Sequence, residues 1–588
     1  MASRHLRSLL PVAVTAALVV SLSGCDRSPP TSQPAAPPPA ADTVAQADWA
    51  SFVDEFIEAY FVANPSFAAA QGRHEFDGKL PDWSADGIKK TIAWLESSRT
   101  KALQFTDSAL SPEQRMQRDY VVARIDGELF WLRDAKFPFT NPAFYFDNGL
   151  DPNTYVAVPY ASAEKRLRAF IEYATAIPDA LSQIRANLHT PLPRTFVEYG
   201  VRGFAGFAEF YRTDVVQAFA EVTDPQLQEQ LRAAIEPAAN AMQDMSKWIE
   251  AQRPQATEDY ALGPERFAAM IRQTEGVTTP LDQLEAIGRT DLERNLKALT
   301  QACKEYLPKG TVKECVAKQA ADKPEGGPVQ EARNQLTMLR QFVIDHDIVT
   351  VPGPEQALVE EAPAYRRQNA AYINIPGPYE TNLPSVYNIA PPDPSWTKAE
   401  REQYIPGKAS LLFISVHEVW PGHFLQFLHS NRSSWRFGQL MVGYAFAEGW
   451  AHYTEEMMAD AGLIQGKPER HVGQLLNALL RNVRFVCAVG LHTKGMTVAQ
   501  CEKMFVEQAY QDVGNARQQA ARGTYDPAYL NYTMGKLMIR KLRNDWLAAN
   551  PGKTLKQFHD QFLSYGGPPI PLVRAQMMRK AVQPAELF

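Results

Sequence analysis

Five stretches of the chain place apolar residues at the 3.6-residue spacing of a helix face: Trp49 to Ala63, Met116 to Ala135, Ser162 to Leu188, Asp224 to Gln252 and Pro280 to Tyr306. That periodicity is met by a helix with one side turned to a core, so the chain is expected to be mainly α, a large body of helix packed on helix. Its 588 residues, 45% of them hydrophobic, suffice for a large interior. Ala371 to Ala390 departs from the pattern. Tyr372, Ile373, Ile375, Val386, Tyr387 and Ile389 are β-prone and punctuated by Pro and Gly, which predicts a small sheet beside the helices that resume after Lys398. Its edge, around Tyr387 and Asn388, is either purely structural or a strip that binds a peptide backbone. Pro-rich and Gly-rich breaks at Pro308 to Pro328 and Pro352 to Pro363 predict an irregular surface insertion between about Lys304 and Gln330.

Arg4 and Arg7 precede an apolar run, Val12 to Leu22, that is too short to span a bilayer and reads as the h-region of a signal peptide. The run ends in Leu22-Ser23-Gly24-Cys25, which resembles a lipobox, the cleavage site after which the cysteine becomes the lipidated first residue. An ordinary signal peptide cut near a cysteine is the alternative. The lipobox reading implies a signal peptide over residues 1–24, lipid at Cys25, a Pro/Ala-rich extended tether over 25–44 and a folded body over 45–588. Such a chain is exported and held to a membrane by its lipid, facing the periplasm. In that setting the four remaining cysteines are expected to oxidise as two sequence-local pairs, Cys303 with Cys315 and Cys487 with Cys501, the alternative being buried thiols. With 60 basic against 66 acidic residues and no long basic run, nucleic acid is not an expected partner.

The segment His417-Glu418-Val419-Trp420-Pro421-Gly422-His423 begins like the HExxH zinc motif, in which two histidines one helical turn apart face one ion and the glutamate reaches its water. Here the second histidine comes six residues later, and six steps of about 100° turn it away from the first on an undistorted helix. Pro421 and Gly422 supply the means of a distortion: a kink could return His423 to the face of His417, or the pair could end the helix and leave His423 in a loop. Two histidines leave a tetrahedral Zn2+ short of one protein ligand plus water. Glu448 and His452 share a helical face in Ala447-Glu448-Gly449-Trp450-Ala451-His452-Tyr453-Thr454-Glu455, with Glu455 one turn further on, and spacing leaves both open as the third ligand.

HExxPGHxLQ followed by EGWAxYxE is similar to the motifs of the bacterial family called domain of unknown function 885, whose members look like helical zinc peptidases of the gluzincin kind. The likeness runs from about Ala45 to the C-terminus and includes Asn64-Pro65, Gly72-Arg73-His74, Gly490-Leu491-His492 and Lys494-Gly495. In that family the position of Glu448 is kept and that of His452 is usually aliphatic. The resemblance therefore implies His417, His423 and Glu448 as zinc ligands, with His452 merely adjacent. It implies hydrolysis of peptide bonds, in short peptides, by a metal-activated water. Glu418 would take the water's proton and deliver it to the leaving amine; its plainer role would be orienting a histidine. Tyr532, His492 and Arg484 are candidate donors to the oxyanion. Arg484 could instead clasp a substrate's terminal carboxylate. Alternatives are a zinc hydrolase of another amide or ester, such as a cell-wall peptide, and a non-catalytic binding lipoprotein with structural zinc.

Overall fold

Each of the five amphipathic stretches is a helix in the computed structural model, which describes residues 41–362, 370–380, 382–392, 394 and 396–588. The signal peptide, the lipobox with Cys25 and residues 25–40 of the expected tether lie outside the described residues. The helices are α1 (Ala41–Ala63), α2 (Pro112–Leu129), α3 (Ala163–Asn187), α4 (Arg194–Arg212), α5 (Pro225–Glu250) and α6 (Leu281–Tyr306), of which α4 was not among the five. Helix α1 opens at Ala41, inside the span expected of the tether. The starts of α2, α3 and α5 are set by side chains that take up orphaned N–H groups: Ser111 and Gln114 form a capping box, Ser162 accepts from Lys165, and Asp224 accepts from Gln226 and Leu227. Each such cap contributes about 1 kcal/mol.

Three apolar interiors result. Helices α3, α4 and α5 enclose Phe170, Ile177, Phe204, Ile235 and Met242. Helices α1 and α2 bury Phe56, Phe61 and Tyr120 together with Phe437 from much later in the chain. The largest interior gathers the helices from α6 onward around residues such as Phe413, Phe446, Trp450, Phe485 and Met534. Among the described residues no helix is long and apolar enough to cross a membrane.

The expected irregular insertion is mostly helical. Helix α6 runs to Tyr306, α7 (Val312–Ala321) starts at a Thr311–Glu314 capping box, and α8 (Gly327–Asp345) follows, so only two short connections lack helix. The Thr-x-x-Glu signal was present but hidden among the prolines and glycines that flank it. A disulfide joins Cys303 on α6 to Cys315 on α7, with Cα atoms 5.6 Å apart.

Strands β1 (Leu358–Glu361), β2 (Ala371–Asn374) and β3 (Val386–Ile389) form one sheet in the order β1-β3-β2, with β1 parallel and β2 antiparallel to β3. Tyr387 and Asn388 thus lie on the central strand, not at an edge, and both are buried. No backbone can add beside them, since β1 and β2 already occupy both sides. The outer strand that borders the large cavity described below is β2.

Candidate metal centre

Helix α9 (Lys408–Glu418) carries His417 and Glu418 as its last two residues, and α10 (His423–Ser430) begins at His423. The structure therefore takes neither a kinked continuous helix nor a loop histidine. The chain stops at Glu418, turns back through Val419–Gly422 across a cis Trp420–Pro421 peptide, and restarts a helix on the second histidine. The turn is tight enough that a Cβ on Gly422 would fall 1.8 Å from the His417 carbonyl oxygen, which is why that position holds glycine. The Gly422 N–H donates back to the Val416 carbonyl at 3.0 Å.

Glu448 reaches the pair from α11 (Tyr444–Met458). Its Oε2 lies 3.3 Å from His417 Nε2 and 3.2 Å from His423 Nε2, and the two imidazoles stand nearly perpendicular at 88°. These ligand atoms all lie within 4.8 Å of one another. The buried Oε2 has no hydrogen-bond partner among the described residues. Zinc bonds of about 2.0–2.1 Å in a tetrahedron separate neighbouring ligand atoms by about 3.3 Å, close to the spacing of both imidazoles from the carboxylate. The triad can hold a metal ion, and its donor set suits zinc. Burial would raise the Glu448 carboxyl, but His423 and His417 beside it hold it well below the usual carboxylate range.

The frame around the triad is hydrogen-bonded. His417 Nδ1 donates to Glu455 Oε1 at 2.8 Å, which fixes the tautomer that turns Nε2 toward His423 and Glu448 as an acceptor. Arg481 lies 3.2 Å from the same carboxylate oxygen, so Glu455 is shared between an imidazole and a guanidinium. The Trp450 indole N–H donates to the Pro421 carbonyl at 2.8 Å and ties α11 to the Val419–Gly422 turn. Two glycines set the remaining distance: Gly449 on α11 meets Gly535 on α15 (Asn531–Ala549) so closely that a Cβ at 449 would lie 2.5 Å from the Gly535 Cα. This contact brings Tyr532 of α15 to the site, its ring stacked at 6.2 Å and 19° on that of His417. Burial, with Glu448 nearby, raises the Tyr532 hydroxyl and keeps it protonated, against a smaller opposing pull from Arg522, Arg484 and Arg481.

These groups line a cavity of about 2650 Å³, far larger than the roughly 300–1,000 Å³ of ordinary small-molecule sites. Glu418 faces it with no hydrogen bond or ion pair to the described residues. Arg481 and Arg484 come from α12 (Pro468–Thr493), and Arg522 from α14 (Val513–Tyr525), where it pairs with Asp526 at 2.9 Å and donates to the Tyr444 hydroxyl at 3.2 Å. Glu455 was placed on the correct face by its spacing but given no role; Arg481, Arg522 and Tyr444 carried no local signal at all, because their neighbours at the site come from distant parts of the chain.

His492 does not join the site. Its Nδ1 accepts from the Leu262 N–H at 3.2 Å, its Nε2 donates to the Gly523 carbonyl at 2.7 Å, and its ring stacks on Phe267. Both nitrogens are spent on backbone, and it is absent from the cavity wall, so it is a core residue and no oxyanion donor. The disulfide between Cys487 and Cys501 links α12 to α13 (Val498–Gln508) in this same packed region. His452 is fully buried behind the triad, with Nδ1 3.5 Å from Glu455 Oε2. Tyr387 is also buried, near enough to Glu418 that the carboxylate adds to the effect of burial in raising its hydroxyl.

A family model described as bacterial protein of unknown function (DUF885) matches residues 65–577. Among solved structures, a candidate lipoprotein of unknown function from Shewanella oneidensis shares 23% identity at a TM-score of 0.74, covering 90% of this chain and 99% of its own. A candidate lipoprotein from Colwellia psychrerythraea shares 19% identity at a TM-score of 0.77, covering 91% and 99%. At these identities the likeness establishes the fold alone. No curated protein matches the chain.

Proposed function

The chain belongs to the DUF885 family, and from that premise we propose that it is a zinc-dependent peptidase acting on short peptides, exported and anchored by lipid at Cys25. One observation carries the reading: two imidazole nitrogens each lie about a tetrahedral edge from one carboxylate oxygen while an unpaired carboxylate, Glu418, faces the same cavity. Zinc bound by His417, His423 and Glu448 would supply a Lewis acid and a water of lowered pKa. Glu418 takes a proton from the attacking water and returns it to the departing amine. Tyr532, protonated and beside His417, donates to the oxygen on which negative charge develops. Glu455 orients His417 through Nδ1. The cavity volume favours an extended peptide over a compact ligand, and strand β2 forms one of its walls. The two candidate lipoproteins of the same fold support the anchored, exported form.

The test is a library of short synthetic peptides offered to the chain begun after the tether, beside its Glu418→Gln variant, with products read by mass spectrometry and bound zinc by elemental analysis. Both forms are expected to carry one zinc, and the variant to cut at least 100-fold more slowly. A variant that loses zinc would refute the base assignment. A zinc-loaded wild type that cuts no peptide would remove peptides as the substrate class.

A further inference from the structure

Three arginines face the cavity around Tyr532, and two of them are matched by acids: Arg481 by Glu455 at 3.2 Å and Arg522 by Asp526 at 2.9 Å. Arg484 is not matched. Among the described residues no carboxylate lies within ion-pairing distance of its guanidinium, its one hydrogen bond runs from Nε to Gln519 Oε1 at 2.8 Å, and its flat face lies 4.9 Å from the Tyr532 ring centre. The residue is only 8% exposed. A guanidinium withdrawn from bulk water is ordinarily paired, because leaving its charge without a counter-ion is costly. Burial and the like charges of Arg522 and Arg481 press its pKa downward, against a smaller opposing pull from the Tyr532 and Tyr444 hydroxyls, neither of which is a counter-ion. Both Nη groups are left without an acceptor among the described residues on a wall of the cavity, in the fork arrangement that takes a carboxylate through two parallel hydrogen bonds.

Distance adds to the case. Arg484 lies 4.9 Å from the Tyr532 ring and Tyr532 6.2 Å from the His417 ring, which together bound the Arg484–His417 separation at about 11 Å. After the length of an ion pair, that leaves room for at most about two extended residues at ~3.5 Å each. We infer that Arg484 receives the C-terminal carboxylate of a peptide whose scissile bond lies at the metal centre, so that the protein trims peptides from their C-terminal end. This rests on the peptidase reading above and adds to it which end of the substrate is recognised.

The test uses peptides identical except for a free acid or an amide at the C-terminus, plus an amidated peptide ending in Glu, which offers a side-chain carboxylate instead. They are given to the zinc-loaded wild type, Arg484→Met and Arg484→Lys. The same peptides are titrated calorimetrically into Glu418→Gln with and without Arg484→Met, and melting curves check folding. Arg484→Met is expected to fold normally, because it removes a charge that no acid balances. The expected result is a preference of at least 100-fold in kcat/KM for the free acid, loss of one or two C-terminal residues, and disappearance of the preference in Arg484→Met with partial retention in Arg484→Lys. Glu418→Gln should bind the acid at least tenfold tighter than the amide only while Arg484 is present. Equal cutting of acid and amide, equal use of the Glu side chain, or a preference that survives Arg484→Met would overturn the inference while leaving the peptidase intact. If nothing is cut, the peptidase reading fails, and the calorimetry decides the carboxylate site separately: an Arg484-dependent preference upholds it and equal binding overturns it.

Discussion

Gly422→Ala adds one methyl group where the chain turns between the two histidines. The new Cβ would lie 1.8 Å from the His417 carbonyl oxygen and 2.4 Å from that of Val416. Carbon–oxygen contacts settle near 3.3 Å, so the turn must open by about 1.5 Å. Both obstacles are backbone and cannot rotate aside, and His423 follows directly in the chain, so the movement passes to a ligand on one side or the other. Metal–ligand distances tolerate only about 0.2 Å. A loss of zinc affinity of about 100-fold, or ~2.7 kcal/mol, is expected, together with about 1–3 kcal/mol of destabilisation from overpacking. Competition against a chromophoric chelator measures the first and a melting curve the second. Gly206→Ala, where an added Cβ meets nothing within 4 Å, serves as the control and should leave zinc binding unchanged. A Gly422→Ala protein that binds zinc within about threefold of wild type and melts at the same temperature would refute the argument that this turn sets the ligand spacing.

Tyr532→Phe keeps the stacked ring and removes the hydroxyl, so kcat should fall by about 100-fold or more with zinc content unchanged; an unaltered kcat in steady-state assays would exclude it as oxyanion donor. Burial holds His492 neutral down to about pH 4, whereas an unfolded imidazole titrates near 6.5. Between those values the unfolded chain binds a proton that the folded chain refuses, so this contribution is present above pH 6.5 and is lost as pH falls to 4, by ~3 kcal/mol. Melting temperatures followed across that window should decline less steeply for His492→Gln than for wild type, and parallel curves would contradict the assignment. Cys25→Ser should move the protein from the membrane fraction to the soluble fraction of a bacterial host, and retention on membranes would disprove the lipid anchor.

Helical periodicity was readable because it is local: α1, α3, α5 and α6 follow their amphipathic stretches to within a few residues, apart from the earlier start of α1. That His417, His423 and Glu448 come together was foreshadowed by two short runs of sequence, although spacing left His452 open beside Glu448 and only the family resemblance preferred the latter. What escaped was settled by contacts between distant segments. Strand propensity marked Tyr387 and Asn388 as β but could not say which strands would flank theirs. His492 sits in a motif-like run, yet its partners, Leu262 and Gly523, lie 230 residues before and 31 after it. Gly449 and Gly535 reveal their purpose only where α11 and α15 touch.

The hydrogen bond from Trp450 to the Pro421 carbonyl and that from His417 to Glu455 together bear on which ion the site accepts. Both are made by the protein alone, so the ligands are held at their separations before any ion arrives. A frame whose two imidazole–carboxylate edges are 3.2–3.3 Å would measure the size of its guest. Ions with bonds near 2.0–2.1 Å to nitrogen and oxygen fit without rearrangement. Ca2+, which takes six to eight oxygen ligands at about 2.3–2.6 Å, would have to spread the frame and find several more oxygens. If the triad holds an ion as proposed, discrimination against Ca2+ would be built into an indole and a carboxylate outside the ligand set.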